Sequence, residues 1–412
     1  MDLAVDAARL GSRLEELARV GGTGDGGCAR LALTDEDRQG RDLVVTWMRD
    51  LGLEVQVDAI GNVVALREGR EPGPPVMCGS HIDTVATGGR YDGNLGVLAG
   101  LEVLETLESA GVVPRRPMAV GFFTDEEGSR FAPDMLGSLV YAGGMTVEEA
   151  YDLVGIDGTR LGEELARIGY RGSLPCPGVV PHAYVELHIE QGPVLEAHGE
   201  VIGAVTGVQG ISWQEVRFGG QFNHAGTTPM AYRHDAGYAA ASVAVAARAL
   251  ALELGAPQVA TVGKLDLRPD LVNVVAGSAA LTVDLRHTDA ATLCEAERRM
   301  GAEIDRIASD EGVTVERRQL SRFDPVHFDE RIIDLVEKTA LDHGHPVRRL
   351  PSGAGHDAQM LARVCPSGMV FVPSVGGISH NPAEFTSPAH IEAGANVLLH
   401  VLHQLADEVT VS

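Results

Sequence analysis

The stretch Val76-Met77-Cys78-Gly79-Ser80-His81-Ile82-Asp83-Thr84, followed by Gly89-Arg90-Tyr91-Asp92-Gly93-Asn94, decides how this chain is read. A short apolar run stops abruptly at Gly-Ser, which is the pattern of a buried strand. His81 then stands at a strand end, where open α/β sheets place their ligands. Imidazole is a borderline metal ligand. Asp83, two residues on, can hold the other ring nitrogen and leave one lone pair for a metal. Asp92 precedes a helix-like run from Leu95 to Leu107, and Gly93 relaxes the backbone that aims its short carboxylate. One carboxylate with two oxygens can bridge two cations. A His-x-Asp alone reads more readily as a core histidine with a turn aspartate, so the rest of the chain has to decide.

Three more apolar runs end in the same kind of chemistry. Met118 to Thr124 runs into Asp125-Glu126-Glu127-Gly128. Three carboxylates there are costly to desolvate without a cation or hydrogen bonds. Adjacent residues of an extended segment point opposite ways, so one of Glu126 and Glu127 can bind a metal while the other reaches the attacking water. His182 to Ile189 leads into His188-Ile189-Glu190-Gln191-Gly192-Pro193, and Met369 to Pro373 into Gly376-Gly377-Ile378-Ser379-His380. Together His81, Asp92, Glu127, His188 and His380 supply three imidazoles and two carboxylates, enough for two ions with open positions. Glu126 is left over as general base. The absence of a cysteine from the set favours Zn, Mn, Co or Ni over softer metals.

Composition narrows the function class. The 412 residues exceed one ordinary core, so two domains are expected. With 44% hydrophobic and 22% charged residues the chain is of the soluble globular type. A formal charge of −25 argues against a nucleic-acid or anionic-membrane partner, since both demand basic patches. Cys28, Cys78, Cys176, Cys294 and Cys365 are odd in number and widely spaced, as in reduced cytosolic proteins. The start, Met1-Asp2-Leu3-Ala4-Val5-Asp6, lacks the basic and apolar regions of a signal peptide, and a cytoplasmic protein is expected. The longest apolar stretch, Ala236 to Leu252, is Ala-rich and interrupted by Arg248, so it reads as a packed helix.

The texture changes near Ile211. Trp213 to Phe218 alternates apolar and polar, as half-buried antiparallel strands do. Strands at Val259 to Leu267, Ala279 to Arg286 and Val313 to Gln319 and helices at Asp235 to Leu252 and Asp289 to Ser309 follow, the mix of an α+β insert. From His327 the α/β texture returns. The expected division is therefore a first part of a catalytic domain at 1–210, an insert at 211–326, and the second part of the catalytic domain at 327–412.

The chain resembles the amidase/hydantoinase/carbamoylase family of di-metal aminoacylase/carboxypeptidase-like metallohydrolases. The resemblance rests on Gly79 to Thr84, Gly89 to Gly93, Thr124 to Phe131, Leu187 to Pro193, Asn223-His224-Ala225-Gly226-Thr227-Thr228-Pro229-Met230 and Gly377 to His380, in order along nearly the whole chain. It implies an α/β fold: a di-metal aminopeptidase-like catalytic domain with an inserted α+β lid/dimerisation domain. It implies His81, Asp92, Glu127, His188 and His380 as ligands of two divalent ions, with Asp92 bridging, and Glu126 as general base. Gln191 matches a substrate-contacting residue. His224 and Asn273 match lid residues that polarise the scissile carbonyl, often from the partner subunit of a homodimer. Arg286 matches the guanidinium that grips the substrate carboxylate, a role its planar fork also suits unaided. The implied activity is hydrolysis of the carbamoyl C–N bond of N-carbamoyl-L-amino acids or a similar small carboxylate. The alternatives are an allantoate amidohydrolase or β-ureidopropionase, then an N-acyl amino acid hydrolase or a non-catalytic binding protein.

Overall fold

The computed structural model describes residues 3–176 and 178–408; Met1 and Asp2, on which the reading of the N-terminus partly rests, lie outside that range. The chain divides into two compact units, Met1–Gly207 with His327–Ser412, and Val208–Val326. The expected boundaries were Ile211 and Val326.

In the larger unit the four apolar runs become neighbouring parallel strands. Met118–Phe123, Val76–His81, Ala183–Ile189 and Ser367–Val372 lie side by side in that order and are buried along their whole length. Strands buried on both faces lose the period-two alternation, which is why the sequence shows continuous apolar runs there. Antiparallel strands flank them: Val63–Arg67 and Glu54–Val57 on one side, Ile202–Val208 on the other. Helices cover both faces. Leu187 packs at Gly394 of the helix Pro388–Asp407, whereas Tyr184 meets Phe123, and Phe123 meets Tyr141 of the helix Leu136–Tyr141. Odd and even positions of one strand point to opposite faces, so His188 and Glu186 share the Tyr184 side. The helix Asp35–Asp50 is capped by Thr34, whose hydroxyl accepts from the Asp37 amide. It carries an Arg41–Asp37 ion pair with no exposed side-chain surface.

The smaller unit is an antiparallel sheet with two helices on one face. Strand Ser278–His287 alternates partly and fully buried residues from end to end, as a sheet with one covered face requires. It pairs with Gly210–Gly219, which pairs in turn with Thr314–Phe323. Leu281, Val283, Leu285, Val216 and Phe218 form its core with Ala240, Val243 and Leu250 of the helix Ala236–Leu254 and Met300 and Ile304 of the helix Ala290–Glu311. The single strand expected from Val259 to Leu267 is two, Val259–Thr261 and Leu265–Arg268, on the same partner. Thr261 opposes Asp284 and Leu265 opposes Leu281, so one side holds an extra residue and the strand bulges at Val262-Gly263-Lys264. The helix Ala236–Leu254 is packed on one side only: Tyr238, Val245 and Leu252, seven residues apart, are exposed.

Leu281 is fully buried, and Leu281→Ala is expected to destabilise this unit by about 2–5 kcal/mol. Trp213 lies in the smaller unit and Trp47 in the larger. Denaturant unfolding followed by tryptophan fluorescence in a Trp47→Phe background therefore isolates the affected unit, and an unchanged midpoint would contradict the packing described.

Candidate metal centre

The C-terminal ends of the parallel strands bring the expected residues to one place. His81 ends its strand and His188 is the penultimate residue of the next. Glu126 and Glu127 follow the strand Met118–Phe123 in a tight turn in which Asp125 adopts φ +56° and Gly128 φ +60°. His380 follows the strand Ser367–Val372 with φ +53°. Asp92 precedes the buried helix Asn94–Ser109, and Gly93 has φ +67°. A Cβ at Gly93 would overlap the His81 ring, so glycine is needed there for both reasons.

Asp92 is the shared element. Its Oδ1 lies 3.1 Å from His188 Nε2 and 3.6 Å from His81 Nε2, and its Oδ2 lies 3.2 Å from His380 Nε2. Glu127 Oε2 is also 3.2 Å from His380 Nε2, and Glu126 Oε2 is 3.3 Å from His81 Nε2. Two potential ligand groups share Asp92, His81/Asp92/His188 and Asp92/Glu127/His380, and Glu186, His188 and His356 form a third beside them. Glu126 and Glu127, adjacent in sequence, thus serve different sides of the cluster.

The donor set fits divalent cations. His81 Nδ1 lies 2.9 Å from the Asp83 carbonyl and His188 Nδ1 2.9 Å from the Ile189 carbonyl. A carbonyl only accepts, so each Nδ1 carries a hydrogen and each Nε2 is the atom left to meet Asp92, as an N–H when the ring is protonated and as a lone pair for a cation when it is not. Lone pairs facing an anionic carboxylate repel unless a cation or proton lies between them. Glu127 Oε1 is buried with no hydrogen-bond partner among the described residues, a further oxygen whose desolvation a cation would offset. Burial alone pushes His81 down, but the carboxylates of Glu126, Asp92, Asp83 and Glu127 outweigh it and hold the ring well above its usual value. Burial pushes the Glu126 carboxyl well above the carboxylate range, with His81 opposing. That is the direction that suits a group which takes up and returns a proton near neutrality.

The sequence model of Peptidase family M20/M25/M40 matches residues 77–404. An N-carbamoyl-L-amino-acid amidohydrolase of Rhizobium meliloti is 42% identical over 98% of both chains. An allantoate amidohydrolase of Bacillus subtilis is 36% identical over 95% of this chain and 96% of its own. The crystal structure of a hydantoinase/carbamoylase-family amidase from Burkholderia multivorans superposes with TM-score 0.96 at 47% identity, covering 99% of this chain and 100% of that one. This chain belongs to Peptidase family M20/M25/M40. It is a hydrolase of C–N bonds, of a di-metal-dependent family whose catalytic domain holds an inserted dimerisation domain.

Two expectations for this M20 chain need correction or refinement. The Asp83 carboxylate was expected on His81 Nδ1, but its Oδ1 is 4.0 Å away and the Asp83 backbone carbonyl takes that place. The carboxylate instead accepts the amides of Glu126 and Glu127, each at 3.3 Å. The turn after a parallel strand leaves N–H groups without ladder partners, and Asp83 satisfies two of them. Gln191 donates through Nε2 to Asp92 Oδ2 at 2.8 Å, while its buried Oε1 has no hydrogen-bond partner among the described residues.

His224, Asn273 and Arg286 belong to the other unit. The first two are neighbours on a two-stranded ribbon, where Val274 opposes His224 and the Ala225 amide donates to the Asn273 carbonyl. His224 Nδ1 accepts from the amides of Gly226 and Thr227, so its exposed Nε2 carries the hydrogen and is a donor. The Arg286 guanidinium pairs with Asp284, Nε at 3.0 Å and Nη2 at 2.9 Å, over the Trp213 ring.

Sequence reasoning passed over several groups around the ligands. The His356 ring packs 4.5 Å from that of His188, and its Nε2 is 2.8 Å from Ser352 Oγ. Burial first, then His188, holds His356 well below its usual value, so it is a neutral group. Glu186, two residues before His188 on the same strand face, accepts from Ser80 Oγ at 2.6 Å and from the Ala358 amide at 2.8 Å. A glutamate inside an otherwise apolar strand was the available signal for it. His356 had none, because it follows a turn rather than an apolar run.

Metal and proton compete for the same nitrogens. Hydrogen bonds to Asp92 and Glu127 raise His380 to about 10. Its folded value lies above the unfolded one of about 6.5. The imidazolium therefore contributes stability in full below about 6.5, and that contribution is lost as pH rises through about 10. Metal-free protein is expected to melt at lower temperature as pH rises from neutrality towards 10, and metal uptake at neutral pH is expected to release a proton. A melting series and a proton-release titration check both, and a flat metal-free profile would contradict the assignment.

Proposed function

We propose that this protein hydrolyses the carbamoyl C–N bond of N-carbamoyl-L-amino acids. One observation carries the reading: His81, Asp92, Glu126, Glu127, His188 and His380 all line a single cavity of about 110 Å³, in a chain whose R. meliloti relative of nearly full length is named for that substrate class. His81, His188 and Asp92 would hold one divalent ion, and His380, Glu127 and Asp92 the other. When bound, such ions supply Lewis acidity that acidifies water and polarises a carbonyl oxygen. The nitrogen and oxygen donors suit Zn, Mn, Co or Ni.

Glu126 takes the proton of the water that attacks the carbamoyl carbon and returns it to the nitrogen that leaves. The amino acid departs as the amine, and the carbamate left behind breaks down to ammonia and carbon dioxide. The unpartnered Gln191 Oε1 accepts a substrate N–H, while its amide nitrogen stays on Asp92. We assign polarisation of the scissile carbonyl to the His224 Nε2–H and to Asn273, and the grip on the substrate carboxylate to Arg286. The exposed Tyr238, Val245 and Leu252 stripe supports a homodimer, since an apolar face of that kind is covered when two copies meet. The five cysteines, all unpaired, accord with a reducing cytoplasmic setting. A second reading, an allantoate amidohydrolase, is favoured by the B. subtilis relative.

Glu126→Gln is expected to retain metal and lose about 10²–10⁴-fold in kcat, the worth of a positioned acid–base group. Normal turnover by this variant would remove Glu126 from the base role. Enzyme reloaded with single metals is expected to release ammonia from N-carbamoyl-L-amino acids in preference to allantoate, N-carbamoyl-β-alanine or N-acyl amino acids. Preference for allantoate would establish the second reading, and cleavage of N-acyl substrates alone would refute both. Leu252→Glu is expected to shift the protein to monomer in sedimentation, and an unchanged mass would place the dimer surface elsewhere.

A further inference from the structure

We infer that Glu384 is a positioning residue of the metal centre, which holds Asp92 from behind and locks its loop to the loop of His380. Glu384 is 4% exposed. Its Oε1 accepts the backbone amides of Tyr91 and Asp92 at 2.9 and 3.2 Å. Its Oε2 lies 2.9 Å from Ser379 Oγ, and the same hydroxyl lies 2.9 Å from Asp92 Oδ2. The Thr87 hydroxyl adds a second tie between the loops by donating to the His380 carbonyl at 3.2 Å.

The loop opposite is shaped to admit this carboxyl. A Cβ added to Gly89 would overlap the Glu384 carboxyl group and side-chain stem. Glycine at 89 therefore serves the approach of Glu384, since no positive φ is required of it. Two independent features, the hydrogen bonds and the missing side chain, thus converge on one contact.

A loop staple alone does not need a buried carboxyl, which is costly to desolvate and lies beside the anionic Asp92. The geometry gives the reason for tolerating it. A terminal ligand must aim one atom, whereas Asp92 must aim Oδ1 at His81 and His188 and Oδ2 at His380. A small rotation of its backbone spoils both groups at once. Accepting two successive amides fixes that rotation, and the Ser379 hydroxyl fixes the carboxylate itself. Groups one step outside the ligands typically change metal affinity about 10–100-fold when removed.

The inference rests on the ligand reading proposed above, and its test separates the two. Metal-stripped wild type, E384A, E384Q and G89A are titrated with Mn²⁺ by calorimetry, and each metal-free protein is melted. Glutamine keeps an acceptor for the two amides and can donate to Ser379, so E384Q is expected within about threefold of wild type. E384A and G89A are expected to bind the metal pair about 10–100-fold more weakly. If E384A and G89A melt lower but bind Mn²⁺ as wild type does, Glu384 is a structural staple and the inference is wrong. If E384A does not fold, G89A and E384Q decide by the same criterion. If wild type binds no Mn²⁺, the ligand reading itself falls.

Discussion

One buried carboxylate sets the terms for the rest of the larger unit. Asp92 faces three imidazole nitrogens, two through one oxygen and one through the other. Burial alone pushes its carboxyl up, but the hydrogen bonds to His188, His380 and His81 outweigh burial and hold it well below the usual carboxylate range. A charged group with two sets of partners tolerates little displacement. Much of the surrounding polar structure serves that limit: Gly93 at positive φ, Gln191 and Ser379 on Oδ2, and Glu384 on the backbone behind it.

A parallel sheet is the means by which distant sequence reaches Asp92. Strands running the same way deliver their C-terminal ends to one edge, and the turns there carry unpaired amides and side chains into the same space. The turns are held by buried polar groups rather than by packing alone. The Arg30 guanidinium donates to the Ile82 carbonyl and to Asn94 Oδ1, tying the His81 strand end to the start of the helix after Asp92. Arg41 reaches the Gly61 carbonyl and Thr124 Oγ1, next to the acidic turn. Such fully buried cations are expensive unless hydrogen-bonded, and these are.

The smaller unit follows another logic. One face of its sheet is filled by two helices, and the outer side of the helix Ala236–Leu254 stays apolar and exposed. The chemistry it carries is concentrated in the ribbon of His224 and Asn273 and in the Arg286–Asp284 pair. A guanidinium held side-on by a neighbouring carboxylate and backed by Trp213 is pre-aimed, which reduces the freedom a ligand would otherwise have to freeze.

Sequence by itself determined the elements and the identity of the groups that meet around Asp92. His81, Asp92, Glu127, His188 and His380 were legible because each follows an apolar run or precedes a helix, and short-range patterns report strand ends directly. The α+β character of the insert was legible from alternation, which survives wherever one sheet face is covered, as in Ser278–His287. Tertiary structure alone decided how those groups are held. The Asp83 carbonyl, not its carboxylate, meets His81, because only the three-dimensional turn reveals which acceptor the amides of Glu126 and Glu127 claim. Glu384 lies 292 residues from the Asp92 amide it accepts, and His356 lies far along the chain from the ring it packs on. Contacts of that separation leave no periodic trace in a sequence, since they depend on how strands order in the sheet rather than on neighbours along the chain.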